Sequence, residues 1–591
     1  MPWSHGERLL GLVSAGTSES MAAKTYDAIV IGSGMTGGWA AKELTEKGLE
    51  VLLLEAGRNI DPKLDYSEHL APYNVKFRGL GDKKLMDENH PVQKQCYACR
   101  EYNHHFFVND KENPYTTPPD KPFLYFRGRH VGGRSIMWGR QVYRWSELDF
   151  KANEREGIAI PWPVTYGEVE PWYDYVEEFI GVSGAKEGLE QVPDGKFLPP
   201  MQMSAGEKVM RETLLRRWKG ERVLTIGRCA ILTQDHKGRA ACHYCGPCEQ
   251  GCVTRSYFSS LNATLPAAEA TSKLTLQPNS VVRQLLYDPK TNKVTGASVI
   301  DGITMKEREY RARVVFLCAS TIESTRILLN SANNRYPGGL ANSSGALGHY
   351  LMDHIPGSGA VGVYEGLENV RDVGKRPNVV YIPRYQNIKS TNSKYLRGYY
   401  FGGGSTRTGF LGGFQLATLG GGYPPGFGVQ FKEAMKELGP WQMSLGGAGE
   451  CLPYYENKLE LNKDVVDKWG IPVPHITAKW YENELAMYGE IRHQAAEMLE
   501  ACGCKNVTTW GDTKPGPPGK GIHEMGTARM GTDPKTSVLN KWNQSHDIKN
   551  LFVTDGCFMV SSACQNPSLT YMAFTARAAD YAVAQLRRGE L

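Results

Sequence analysis

The 591-residue chain has no uninterrupted apolar run long enough to cross a bilayer. Near the N-terminus only residues 9–13 are apolar in succession, too few for a membrane span or the core of an export signal, so no export signal of its own is expected. Residues 408–431 carry no charge, but glycines and the pair Pro424 and Pro425 interrupt them. A backbone so broken cannot satisfy its polar groups in lipid, and glycine-rich strands and turns are expected there. Like charges never run to five in succession and the net charge is only +5, which excludes a nucleic-acid arm or a polybasic membrane patch. No internal repeat appears at solenoid periods. An odd 13 cysteines spread over so long a chain excludes the disulfide framework of small secreted domains.

What is present is an ordinary folded composition, 41% hydrophobic and 22% charged, in a chain longer than one hydrophobic core usually serves. In YDAIVIGSGMTGGWAAKELTEKGLEVLLLEAGR a buried-strand pattern over 28–31 runs into Gly32, Gly34 and Gly37. A helical pattern follows over 36–47, then a second buried strand over 50–54 that ends at Glu55. This is a βαβ unit of the dinucleotide-binding type. Gly32 permits the tight turn, Gly34 lets backbone approach a pyrophosphate at the helix N-terminus, and Gly37 lets helix and strand close up. Glu55, 23 residues past Gly32, is placed for ribose hydroxyls and disfavours a 2′-phosphate. The motif alone does not separate NAD from FAD.

The segment CHYCGPCEQGC places Cys242, Cys245, Cys248 and Cys252 in C-x2-C-x2-C-x3-C spacing, the run that ferredoxins use to ligate iron–sulfur clusters, with Val253 where proline usually follows. Zinc is the alternative, completed by the distant Cys96 and Cys99, since structural zinc favours two separated CxxC knuckles. Reduced thiols or a disulfide pair is the third reading. Gly246, Pro247 and Gly251 supply turns around such a centre.

Four further segments resemble the glucose-methanol-choline (GMC) family of flavoprotein oxidoreductases: FRGRHVGGRSIMWGRQ at 126–141, VVFLCASTIESTRILLNS at 314–331, HEMGTARMG at 523–531 and VTDGCFMVSSACQNPSLTYMAFTARAADY at 553–581. With the first motif, the likeness runs over residues 27–581. The resemblance implies an α/β fold with a discontinuous Rossmann-like FAD domain, at 22–62, 125–145, 255–335 and 520–591. A cysteine-rich insertion at 225–254 and a substrate lobe of mixed sheet plus helices at 336–519 complete it, after a loose extension at 1–21. It sets FAD against Gly132, Gly133, Ser135, Met137, Val282, Asp555, Gly556 and Thr570, in addition to Gly32, Gly34, Gly37 and Glu55.

Within the family, His523 with Asn566 in an NPxLT setting is most similar to pyranose 2-oxidases and bacterial glucoside 3-dehydrogenases. By that likeness His523 is the base for the substrate hydroxyl and Asn566 binds and orients the substrate oxygen; an imidazole is neutral and able to accept at neutral pH, whereas an amide is not a base. Relatives that bind FAD covalently use a histidine in S-x-H-W. This chain reads Ser135, Ile136, Met137, Trp138, and a thioether cannot form that linkage, so dissociable FAD is expected. Electron-transferring members carry a cluster-binding cysteine insertion at this place in the chain. The resemblance therefore implies a dehydrogenase of a sugar or glycoside, oxidised at C3, that relays electrons through an iron–sulfur cluster to a c-type cytochrome. It further implies a small accessory subunit whose export signal carries both to the periplasm. The rival expectation is a peroxide-producing oxidase of the same fold with structural zinc.

Overall fold

A computed structural model describes residues 24–75, 81–371, 376–389, 391–392, 394–407, 427–434, 436 and 439–591. Most of the uncharged glycine-rich stretch, at 408–426, and the N-terminal extension lie outside the described residues.

Strand Thr25–Ile31, helix Met35–Glu46 and strand Val51–Leu54 form the expected βαβ unit, with the two strands parallel and Ala28 opposite Val51. Both strands bury their apolar runs: Ala28, Val30, Val51 and Leu53 cluster with helices Met35–Glu46 and Ser568–Arg587, while Ile29, Ile31, Leu52 and Leu54 belong to a larger cluster that includes Ile327 and Leu328 of helix Thr321–Asn330. The unit belongs to a seven-stranded sheet. Strand Glu307–Leu317 lies parallel to the first strand, and Leu274–Gln277 extends the far edge. Leu551–Val553, from the far end of the chain, pairs in parallel with residues 315–317 and so brings the C-terminal segment to the same carboxyl end of the strands as the glycine turn. Strands Ser280–Asp288 and Lys293–Asp301 continue the sheet antiparallel.

The second sheet has six strands, in spatial order 505–510, 355–364, 441–449, 399–407, 380–382 and 225–226. The sequence suggested a mixed sheet for this lobe; every neighbouring pair is antiparallel, and the mixed sheet of the protein is the first one. Strand Thr225–Ile226 is its edge, although it lies in the stretch read as the cysteine-rich insertion. Helix Glu482–Ala501 packs on the strands Ile355–Tyr364, Trp441–Gly449 and Lys505–Trp510, burying Met487, Ile491, Ala495 and Met498 on one side. That i, i+4 spacing is the apolar stripe such a contact requires. No helix among the described residues is long and apolar enough to cross a membrane.

Candidate active site

The glycine turn is built as its spacing demands. Gly32 sits at φ +93°, and a Cβ there would meet the Cys318 carbonyl oxygen at 2.6 Å; one on Gly37 would lie 1.7 Å from the Gly32 carbonyl oxygen. Around Gly34, by contrast, a Cβ would meet nothing within 4 Å. The first turn of helix Met35–Glu46 has no side-chain cap, so its free N–H groups and positive dipole end face open space, the setting in which a pyrophosphate binds. Gly37→Ala is expected to open this turn and yield protein without flavin, checked by the ratio of absorbance near 450 nm to that of the protein.

That space is a cavity of about 510 Å³ lined from Glu55 at one end to His523 and Asn566 at the other. Glu55 is buried and accepts from Ser33 Oγ at 2.6 Å and Gly57 N at 2.9 Å. Burial pushes its carboxyl above the ordinary range against these bonds and that of Ser33 N at 3.0 Å, and one acceptor site is left for a ribose hydroxyl. Beside it, Arg129 also lines the cavity, and its buried Nη1 has no hydrogen-bond partner among the described residues. An uncapped helix end, a cradle emptied of side chains at Gly34 and an orphaned guanidinium nitrogen fit a dinucleotide.

Gly32, Gly34, Gly133, Ser135, Met137, Val282, Asp555 and Gly556 all line the cavity. Gly132 stands behind it, at φ +90°, donating its N–H to Ser33 Oγ at 2.9 Å and so tying the two glycine loops together. Gly37 lies behind the turn against Gly32. Thr570 departs from expectation: it is fully buried and its hydroxyl bonds Tyr173 Oη at 2.8 Å. Helical geometry explains the miss, because Ser568 and Tyr571 share the face that lines the cavity while Thr570 is turned toward helix Tyr166–Ile180.

At the other end, Asn566 Nδ2 lies 3.2 Å from His523 Nε2 across 43 residues of chain. His523 Nδ1 is 2.9 Å from Nδ1 of His354, whose Nε2 meets the Ala563 carbonyl oxygen at 2.5 Å. Asp353 accepts the backbone N–H of Gly519, Gly521 and His523, each at 2.9 Å, which fixes the loop that carries the imidazole. Arg134 makes a bidentate pair with Glu524 at 2.7 and 3.2 Å. Enclosure by these walls pushes His523 well below the usual imidazole range, with further push from His354 and Arg134. It is therefore neutral at neutral pH and ready to accept a proton. His354 and Asp353 carried no signal in the sequence: no motif marks them, and His354 lies 169 residues from its partner; Arg134 sits in the segment 126–141, but nothing there singles it out.

In the cysteine loop, Cys242, Cys248 and Cys252 are half-buried and Cys245 is exposed, all as free thiols. Among the described residues no three His, Cys, Asp or Glu side chains form a group able to hold a metal. As placed, then, the four sulfurs do not make the ligand set their spacing suggests, nor do Cys96 and Cys99, which are buried in an apolar cluster with Tyr66 and Phe106, complete a zinc site. Two buried guanidiniums nevertheless face the loop. Arg140 is within electrostatic reach of Cys248, and Arg239 of Cys252, and neither forms an ion pair with a carboxylate among the described residues.

A cavity lined by a dinucleotide-type glycine turn together with an imidazole and an amide defines a dinucleotide-binding protein with a proton acceptor at its site; the relatives make it an FAD-dependent oxidoreductase of CH–OH groups. Family comparison gives the particular kind: the profile of GMC oxidoreductases matches residues 26–356 and 453–575, and the chain belongs to that family. It is 28% identical to 2-methyl-1,2-propanediol dehydrogenase of Mycolicibacterium austroafricanum over 94% of each chain. It is 27% identical to the fructose dehydrogenase large subunit of Gluconobacter japonicus, over 95% of this chain and 98% of that one. Among solved structures it resembles pyridoxine 4-oxidase from Mesorbium loti, with TM-score 0.57 at 17% identity over 94% and 98% of the two chains.

Proposed function

We propose that this oxidoreductase is a dehydrogenase of sugars or glycosides that converts a secondary ring alcohol, at C3, to a ketone and hands the electrons to a protein acceptor. The observation that carries the reading is the convergence of His523 Nε2 and Asn566 Nδ2 on one point of the cavity wall. Bound FAD, held by the glycine turn, Glu55 and the loop at 132–137, supplies the hydride acceptor. The protein's own part is to orient and to deprotonate. Asn566 donates to the substrate oxygen, and His523 Nε2 takes the hydroxyl proton as the C–H bond is given up. Tyr97, Gln141, Tyr400 and Lys520 line the same cavity and offer hydroxyl, amide and ammonium partners of the kind a polyol needs. Met137 occupies the place of the linking histidine and lines the cavity, so acid precipitation is expected to release the flavin into the supernatant.

For the electron outlet, Arg140 and Arg239, buried beside Cys248 and Cys252 and in no ion pair among the described residues, favour a loop that works with negative charge on its sulfurs, although Glu249 also faces Arg140; a thiolate-ligated iron–sulfur cluster would supply that charge. The relative named a large subunit supports, by analogy, an accessory subunit here, with a c-type cytochrome as acceptor and export to the periplasm on the partner's signal. The decisive experiment is the visible spectrum under anaerobic addition of a glycoside panel, with product analysis at C3, together with iron and acid-labile sulfide content. Bleaching of the flavin by none of the glycosides overturns the substrate reading; bleaching without iron or sulfide overturns the relay.

A further inference from the structure

Behind the substrate end of the cavity three groups stand in a row, and their hydrogen bonds admit one arrangement of protons. His354, 1% exposed, places Nε2 at 2.5 Å from the Ala563 carbonyl oxygen. A carbonyl only accepts, so that nitrogen carries the hydrogen, and the other nitrogen of the neutral ring is bare. This bare Nδ1 lies 2.9 Å from Nδ1 of His523, so His523 must donate there. A neutral His523 with its hydrogen on Nδ1 has its lone pair on Nε2, the nitrogen beside Asn566. The opposite tautomer of His523 would set two lone pairs against each other at 2.9 Å, and the opposite tautomer of His354 would turn a lone pair on the Ala563 carbonyl.

We propose that His354 is the positioning residue of the reaction, which fixes the tautomer of His523 so that its Nε2 is the basic nitrogen and then holds the imidazolium formed when that nitrogen takes the substrate proton. The assignment rests on His523 being the base. Residues 353 and 354 together grip position 523, Asp353 by its backbone N–H and His354 by its ring. Burial lowers His354 to about 4, so it faces His523 as a neutral acceptor. The other charged or titratable groups around the pair are Arg134, paired with Glu524, Asp353 below the loop, and Tyr571 from the C-terminal helix, whose hydroxyl bonds the Glu524 carbonyl. None competes for His523 Nδ1. The row is also a dead end for protons: a hydrogen passed to His354 Nδ1 has no onward base, since the Ala563 carbonyl cannot take one. The substrate proton therefore stays on His523 Nε2 and leaves by the cavity.

The test is ¹⁵N NMR of histidine-labelled holoenzyme, with the His523 signals assigned by their loss in His523→Asn, alongside the rate of anaerobic flavin reduction. Expected are a protonated Nδ1 and a bare Nε2 on His523. In His354→Leu the hydrogen moves wholly or partly to Nε2 and flavin reduction slows by about 10²-fold, the scale at which a misplaced base is felt. His354→Gln, whose amide can accept from Nδ1 and donate to Ala563, is expected to restore both to within a few-fold. A wild-type His523 with its hydrogen on Nε2, or a leucine variant with unchanged tautomer and rate, overturns the proposal. Full flavin reduction in His523→Asn overturns instead the reading of His523 as base, and leaves the tautomer result to stand by itself.

Discussion

Replacing His523 with alanine is expected to slow substrate-driven flavin reduction by about 10²–10⁴-fold, measured by anaerobic stopped flow at saturating substrate. The range is what a positioned general base contributes, and no other group in reach can replace it. Asn566 is an amide, His354 keeps its hydrogen on the carbonyl of Ala563, and Asp353 is engaged by three backbone N–H groups. Flavin content should stay at the wild-type level, because the bonds of His523 go to His354, Asp353 and Asn566 and none to the glycine turn. The pH dependence has a definite sign. The base works only when neutral, and since enclosure depresses its pKa well below 6.5, the acid limb of the wild-type rate is expected below that value. A limb centred at 6.5 or above would show a solvated imidazole and contradict the enclosed geometry. In the alanine variant this limb should vanish.

The second large effect concerns stability. Arg397, 1% exposed, bonds Glu450 at 2.7 Å and Asn153 Oδ1 at 2.7 Å and also pairs with Glu156. It thereby joins the antiparallel sheet, through residues before Tyr399–Arg407 and after Trp441–Gly449, to helix Ala152–Glu156. Arg397→Met is expected to cost about 3–5 kcal/mol, as breaking a buried pair leaves its partner charge uncompensated. Chemical denaturation followed by fluorescence measures it. Burial already pushes Glu450 up to about 7 against the pull of Arg397 and Arg384. A folded pKa raised above the unfolded one gives stability that is complete at low pH and lost as pH rises through about 7. The deficit of the variant should therefore be smaller at about pH 5.5 than at about pH 8. Adding Glu450→Gln should recover part of the loss at the higher pH, and a deficit independent of pH would mean that Glu450 is not the group left exposed to it.

Much of the cofactor end of this protein was legible in its amino acids. Strand, glycine spacing, helix and Glu55 all fall within about 30 consecutive residues, where local rules of turn and period operate, and the structure places each as its chemistry requires. Thr570 does not line the cavity, because a motif fixes position along a helix but not which face turns to the ligand. The four cysteines show the converse limit: their spacing specifies a ligand pattern, yet convergence of sulfurs is a matter of loop conformation, and the described loop does not display it.

By itself the sequence determined the dinucleotide fold and the family, and it singled out His523 and Asn566, which the fold brings to 3.2 Å of each other. Tertiary structure alone decided how that pair is made to work. His354 and Ala563 lie 169 and 40 residues from His523, and only folding the two sheets together sets a carbonyl, an imidazole and a second imidazole in one hydrogen-bonded row. A proton's place on a ring depends on what faces the ring's other nitrogen, and contacts of that range are written in packing rather than in sequence spacing.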